Sequence, residues 1–342
     1  QSSVTISGFF KGGLESVKFS STAKNPNSST SVVDDSSRII FNVREDLGGG
    51  LSAIGQYDMR MSTDQGALAG TGNNHVGLQS KQWGRLTFGR QDLHYFHRES
   101  DMTARGTLRS DSISILAFAG GGGTAIAGAT RTANTVQWVS PNWGGFTLGA
   151  AYTSSGGGGA DGDINAGAGV RKGSGWNLNP NFAGKNFQVG YSYWTAKPDG
   201  AGATDQRGDR LYGSFNWSGF KVGLAWDKSK LKTAATGVET SNRSAWSLPV
   251  SYSWGKHSIH AHYDKARDDK RTAAQDGAKM FALSYAYDLS KRTSASVTYA
   301  KINNDAGAAY NLFTGVGLGG QQVATAAGED PRVLAFTLRH AF

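Results

Sequence analysis

The last ten residues, Val333 to Phe342, alternate strictly. Leu334, Phe336, Leu338, His340 and Phe342 fall on one side, and Ala335, Thr337, Arg339 and Ala341 on the other. Side chains of a strand point to opposite faces in turn, so this segment separates an apolar medium from a polar one. The same alternation recurs upstream. Phe220, Val222, Leu224 and Trp226 oppose Lys221, Gly223, Ala225 and Asp227; Phe281, Leu283, Tyr285 and Tyr287 oppose Ala282, Ser284, Ala286 and Asp288. Strands with one oily face satisfy their backbone groups in lipid only by closing into a barrel. The pattern predicts an all-β transmembrane antiparallel barrel of about sixteen strands, lipid outside and water inside. Such an object is a pore.

Hydrophobic residues make up 38% of the 342, and no run approaches the ~20 apolar residues of a spanning helix. A low apolar fraction agrees with a barrel, where every second strand residue faces water. Forty-eight glycines against six prolines suit many strands and tight turns. The chain has no cysteine, which excludes disulfide frameworks, thiol catalysis and thiolate metal sites. A formal net charge of +9 fits nucleic-acid binding, a basic surface or an anion route. No export signal is visible, and a removed signal peptide is the expectation for an exported chain.

Read along the chain, hairpins are expected at 37–46/51–61, 75–81/85–91, 132–140/146–154, 175–182/187–195, 209–217/220–228, 244–254/257–265 and 279–288/293–301. A first strand over residues 4–19 and the closing strand complete the set. Short turns alternate with long polar segments, and the excursion over 93–130 is long enough to fold inward. The whole of 1–342 reads as one barrel. Pro180 makes the 175–182 arm the weakest of the strands. Aromatics at strand ends on the apolar face, among them Tyr152, Tyr193, Trp217, Tyr252, Trp254, Tyr287 and Tyr299, mark headgroup girdles. A secreted β-sandwich binding protein also alternates, but needs bulk on both inner faces, whereas here one face is Ser, Thr, Gly, Ala and charge.

Five segments in order resemble the general porins of Gram-negative bacteria, in their beta-proteobacterial and neisserial branch. They are Ser2–Gly8; Ser37–Phe41 with Glu45–Leu51; Val76–Leu78 with Gly84–Gln91; Arg131, Asn134–Val136, Ser140–Pro141 and Gly145–Phe146; and Leu338–His340 with terminal Phe342. The chain departs from that pattern at Asn73–His75 and around Trp176–Phe182. The resemblance implies a homotrimer in the outer membrane, in contact with lipid and lipopolysaccharide. It also implies that the third long loop, 93–130, folds into each lumen as a constriction.

On the water face strand parity places Arg38, Arg60 and Arg131, with Asp58 beside Arg60. The 93–130 loop carries Arg98, Arg105 and Arg109 with Glu99, Asp101 and Asp111. Basic residues outnumber acidic ones there, so a cluster of guanidiniums is expected to draw small anions and repel cations. The resemblance supports Arg38 and Arg131, and parity alone supports Arg60. The loop arginines fit either a constriction or local pairing. A general diffusion pore preferring anions is expected, or else a channel specific for organic acids or phosphate. No cofactor and no catalytic residue is expected. His260, His262 and Asp264 share a face but lack a fourth metal ligand, so they read as lumen lining. No motif marks the Ser, His and acid of a membrane-barrel lipase. Glycine runs 120–123 and 156–159 lack the ending of a phosphate cradle. Basic and aromatic groups lie on opposite faces, against nucleic-acid binding.

Overall fold

The computed structural model describes residues 2–20, 28–69, 72–94, 106–116, 126, 129, 131–155, 173–198, 202–313 and 326–342. Eighteen antiparallel segments form one sheet. They are β1 (Ser3–Lys18), β2 (Ser28–Asp34), β3 (Arg38–Gly48), β4 (Leu51–Ser62), β5 (Ala67–Ala69), β6 (Asn74–Ser80), β7 (Gly84–Gln91), β8 (Thr132–Val139) and β9 (Phe146–Thr153). There follow β10 (Ser174–Ala183), β11 (Phe187–Lys197), β12 (Thr204–Trp217), β13 (Phe220–Thr233), β14 (Glu239–Trp254), β15 (His257–Ala266), β16 (Ala278–Asp288), β17 (Thr293–Asn304) and β18 (Arg332–Ala341). β2 and β3 both pair with β1, and β5 and β6 both pair with β4. Each couple is one interrupted wall strand, so the wall has sixteen strands.

Strand 18 returns to β1, in register from Phe9 opposite Ala341 to Lys18 opposite Arg332, and the barrel closes. The Phe342 amide donates to Gly8 O, and its ring lies 5.5 Å from that of Phe10. Closure leaves the wall without an unpaired edge, the condition for crossing hydrocarbon. Parity holds around the wall. Val4, Phe10, Leu14, Phe215, Leu224, Leu248 and Phe336 are exposed outward, while Ser192, Ser247, Ser284, Thr298 and Thr337 are buried inward. At the short-turn rim the rings of Trp217, Phe220, Tyr252, Trp254, His257 and Tyr287 touch in succession, each neighbouring pair 4.1–6.3 Å apart. That chain of rings matches a headgroup girdle.

Several strands run farther toward the long loops than alternation alone shows. β12 starts at Thr204, β13 reaches Thr233 and β14 starts at Glu239, because polar residues there still pair although they face no lipid. Residues 28–34, between the expected first strand and the 37–46 arm, form β2 for the same reason. β10 does form across Pro180, in register with Leu148 of β9. On the β11 side no pairing is recorded between Leu178 and Asn181, where proline has no N–H to give. Among the described residues, the largest buried apolar cluster lies inside the barrel. Ile113, Ile115 and Leu116 from the long third loop pack on Ala245, Ala266, Met280, Ala300 and Ile302 of the inner wall.

The seam between β1 and β18 has one very close approach. A Cβ at Gly13 would collide with the Phe336 carbonyl. Gly13→Ala is expected to cost about 1–3 kcal/mol through overpacking and to lower the temperature at which the folded band shifts on a gel. An unchanged transition would show that the seam yields at this point.

Candidate pore constriction

The described residues of the third loop meet the inner wall at two sets of anchors. At its root, Leu93 and His94 turn inward directly after β7. The His94 Nδ1 lies 2.8 Å from Ser192 Oγ on β11 and its Nε2 3.6 Å from Asp227 on β13. Arg210 of β12 donates to the His94 carbonyl and pairs with Asp227 at 2.7 Å. Leu93, Ile126 and Ala129 fill the space against Ala151, Trp194 and Ala196.

Across the barrel, Arg109 pairs with Glu15 of β1 at 2.5 Å, and the Thr107 hydroxyl donates to the same carboxylate at 2.6 Å. The Leu108 amide donates to Asp35 at 2.9 Å, while Lys11 binds Asp35 at 2.6 Å and also the Gly106 carbonyl. Asp111 caps the short 3-10 turn Ser112–Ser114 by accepting from the Ile113 amide. His262 of β15 bridges Asp264 and the Ser110 carbonyl, each at 2.6 Å. Every one of these groups is buried. An unpaired charge here would cost several kcal/mol, so the pairs hold the loop inward.

Of the two roles open to the loop arginines, Arg109 takes local pairing, with Glu15. Arg109 and Asp111 are buried in the loop's own anchorage: Glu15 pairs with the Arg109 guanidinium, and Asp111 accepts from the Ile113 amide. Both His262 nitrogens are likewise engaged, and no metal-holding group of three ligands occurs among the described residues. Arg98, Glu99, Asp101 and Arg105 lie outside the described residues, as do both glycine runs. Lys11, Glu15, Arg210, Asp227 and Asp264 also face inward, each in a pair.

The unspent positive charge sits on the wall from β3 to β8. Arg38 stands opposite Arg60 across β3 and β4. Asp58 accepts two hydrogen bonds from Arg60 Nε at 3.0 and 3.1 Å, and lies 4.0 Å from Arg38. Between the two guanidiniums, Ser36 takes the left-handed conformation with φ of 71°. That turn brings its hydroxyl to accept from Arg38 Nη2 and Arg60 Nη1, both at 2.9 Å. Phe9 packs its ring against Arg38 at 4.7 Å and against Arg339 at 4.5 Å. Arg131, at φ of 38°, donates its amide to Asp92 and is electrostatically coupled to Arg38 and Arg90. Its Nε has no hydrogen-bond partner among the described residues. Five guanidiniums, of Arg38, Arg60, Arg90, Arg131 and Arg339, are thus set against the carboxylates of Asp58 and Asp92. Ser36, Phe9, Asp92 and His94 carry no signal in the strand alternation. Ser36 could have been suspected from the break in the pattern just before Arg38.

A family model described as Gram-negative porin matches residues 1–308. An outer membrane porin of Bordetella pertussis is 26% identical over 314 residues, covering 79% of this chain and 78% of that protein. Among solved structures, an anion-selective porin from Comamonas acidovorans superposes with a TM-score of 0.81 at 21% identity over the full length of both chains. The trimer form of OmpT from Vibrio cholerae gives 0.70 at 13% identity, covering 100% of this chain and 99% of that one. At these identities the structural matches show the fold.

The loop root should respond to acid. Burial, reinforced by Arg210, holds His94 below the ordinary imidazole value, with Asp227 and Asp209 pulling the other way. The docked root therefore binds fewer protons than the released one, and its stability falls as pH drops through about 6.5. Single-channel recordings are expected to be quiet at pH 7.5 and to show more frequent closures near pH 5. In His94→Asn that increase should vanish; an unaltered pH response would place the sensor elsewhere.

Proposed function

The chain belongs to the Gram-negative porin family and forms a water-filled channel of the outer membrane, and we propose that it passes small hydrophilic solutes by passive diffusion with a preference for anions. The observation that carries this is the surplus of guanidinium charge on the β3–β8 wall, left over once the loop anchors have neutralised their partners. Two like charges ~4 Å apart repel by about 1 kcal/mol in bulk water and about 4 kcal/mol at an effective dielectric near 20. Such a set gathers anions and turns cations away. Arg38 and Arg131 are its principal members, with Arg60 largely offset by Asp58. The structural likeness to an anion-selective porin agrees with this reading. A homotrimer is proposed in keeping with the trimeric form of a structural neighbour. Diffusion down a gradient requires no bond to be made or broken, so no enzymatic activity is proposed.

The outward face bears on the lipid partner. Just beyond the outer tyrosines, toward the long loops, cations stand directly opposite one another across neighbouring strands. Lys265 faces Lys279, Lys301 and Lys18 both face Arg332, and Lys230 faces Arg207. Directly opposed like charges destabilise a sheet. Asp209 relieves Arg207 at 3.1 Å, whereas Glu239 and Asp330 stand 3.9 Å from Lys230 and Lys301. This belt fits the phosphates of lipopolysaccharide in the outer leaflet.

Zero-current potentials in planar bilayers under a potassium chloride gradient test the main reading. The wild type should sit toward the chloride equilibrium value, and Arg38→Ser or Arg131→Ser should move it toward zero; a wild-type value near that of potassium would overturn the assignment. For the belt, added lipopolysaccharide should raise the melting temperature of purified protein. The rise should shrink in Lys265→Gln combined with Lys279→Gln, and an equal rise in both would refute the contact.

A further inference from the structure

A second lumenal feature is chemically unlike the arginine wall. Between β4 and β10, a chamber of about 310 Å³ is lined by Gln56, Arg85, Asp92, Gln137, Asn177 and Asn179 among others. It is a size that ordinary small-molecule sites reach. Its carboxamides are oriented by the wall. Asn177 Nδ2 donates to the Tyr193 carbonyl at 2.7 Å and to Ser192 Oγ at 3.1 Å. Asn179 Nδ2 donates to the Tyr191 carbonyl at 2.7 Å and to Tyr212 Oη at 2.9 Å. Gln56 Nε2 donates to the Asn73 carbonyl at 3.3 Å. A backbone carbonyl only accepts, so in all three the nitrogen is committed to the wall and the oxygen is left for the chamber.

Donors complete the set. The Gln137 carboxamide and the Arg85 guanidinium have no hydrogen-bond or ion-pair partner among the described residues, and both line the same space. The lining holds one guanidinium, Arg85, and one carboxylate, Asp92, which it shares with the Arg131 amide on the arginine wall. An anion would meet three carbonyl dipoles and a carboxylate, and a cation would meet Arg85. A hydroxyl group both donates and accepts, and several of them on one uncharged frame match this arrangement of fixed acceptors and free donors.

We propose that this chamber is a binding site for an uncharged polyhydroxylated solute, a sugar or sugar alcohol, beside the anion route. The idea rests on the water-filled channel but is independent of its charge preference. The test is single-channel recording with glucose as probe, polyethylene glycol of equal hydrodynamic size as the obstruction control, and gluconate as the charged analogue. Glucose is expected to reduce the current saturably where polyethylene glycol reduces it in proportion to concentration. Losing one neutral hydrogen bond in Gln137→Leu, or the guanidinium in Arg85→Gln, should raise the half-saturating glucose concentration about 3- to 10-fold. A glucose effect indistinguishable from that of polyethylene glycol overturns the site, and the wild type alone decides this whether or not the variants fold. Stronger saturable block by gluconate also overturns it, making the chamber an anion site through Arg85. Absence of any ion current would instead remove the channel reading on which the site depends.

Discussion

Hydrocarbon offers no partner to a backbone N–H or C=O, and that single constraint organises the molecule. Every spanning segment pairs on both sides, β18 meets β1, and the pleat then divides the side chains into two solvents. The oily half of each strand is held outward by lipid. The polar half is driven into a lumen whose walls, once closed, must also satisfy whatever is folded inside. Gly13 shows how tightly closure is drawn, since even a methyl group there meets the Phe336 carbonyl.

The inward loop is the second consequence. The loop enters a space with few partners, so the wall supplies them: Glu15 for Arg109, Asp35 for the Leu108 amide, Lys11 for the Gly106 carbonyl and Arg210 for the His94 carbonyl, with Asp35 and Asp227 balancing the two cations. These pairs stand at opposite sides of the barrel and fix the loop across it. Their electrostatic effect on a passing ion is small, because each is closed and neutral. What reaches the permeating solute is the remainder, and the remainder is cationic. Ser36 and Phe9 matter for this reason. The first receives both Arg38 and Arg60 in one hydroxyl, and the second holds Arg38 and Arg339 by their flat faces. Together they keep like charges in the geometry in which they act jointly.

Most of the barrel was legible in the sequence because alternation is a local, one-dimensional signal with a fixed period. Strand parity correctly put Arg38, Asp58 and Arg60 on the inner face, and the turns at Gly48–Gly50 and Gly255 fell where left-handed glycines occur. Strand ends toward the long loops were not legible, since β12 to β14 continue beyond the lipid and lose the apolar half of the signal. The loop's charges were not legible either. Whether Arg109 faces water or Glu15 depends on contacts 94 residues apart along the chain. No periodicity reports such a contact. The same holds for Ser36, whose role comes from a backbone angle.

Charge is thus sorted by position. Opposite charges are consumed where the loop must be held, positive charge is left where ions pass, and directly opposed cations line the outer face where phosphorylated lipid lies. Between β4 and β10 charge thins to Arg85 and Asp92 among carboxamides held by the backbone. A guanidinium cluster attracts an anion over several ångströms but is indifferent to a neutral molecule. Fixed amide dipoles act only at contact and favour hydroxyls. A lumen that sets these two surfaces side by side, with Asp92 at their border, can conduct ions past the arginines and meet hydroxyls beside them.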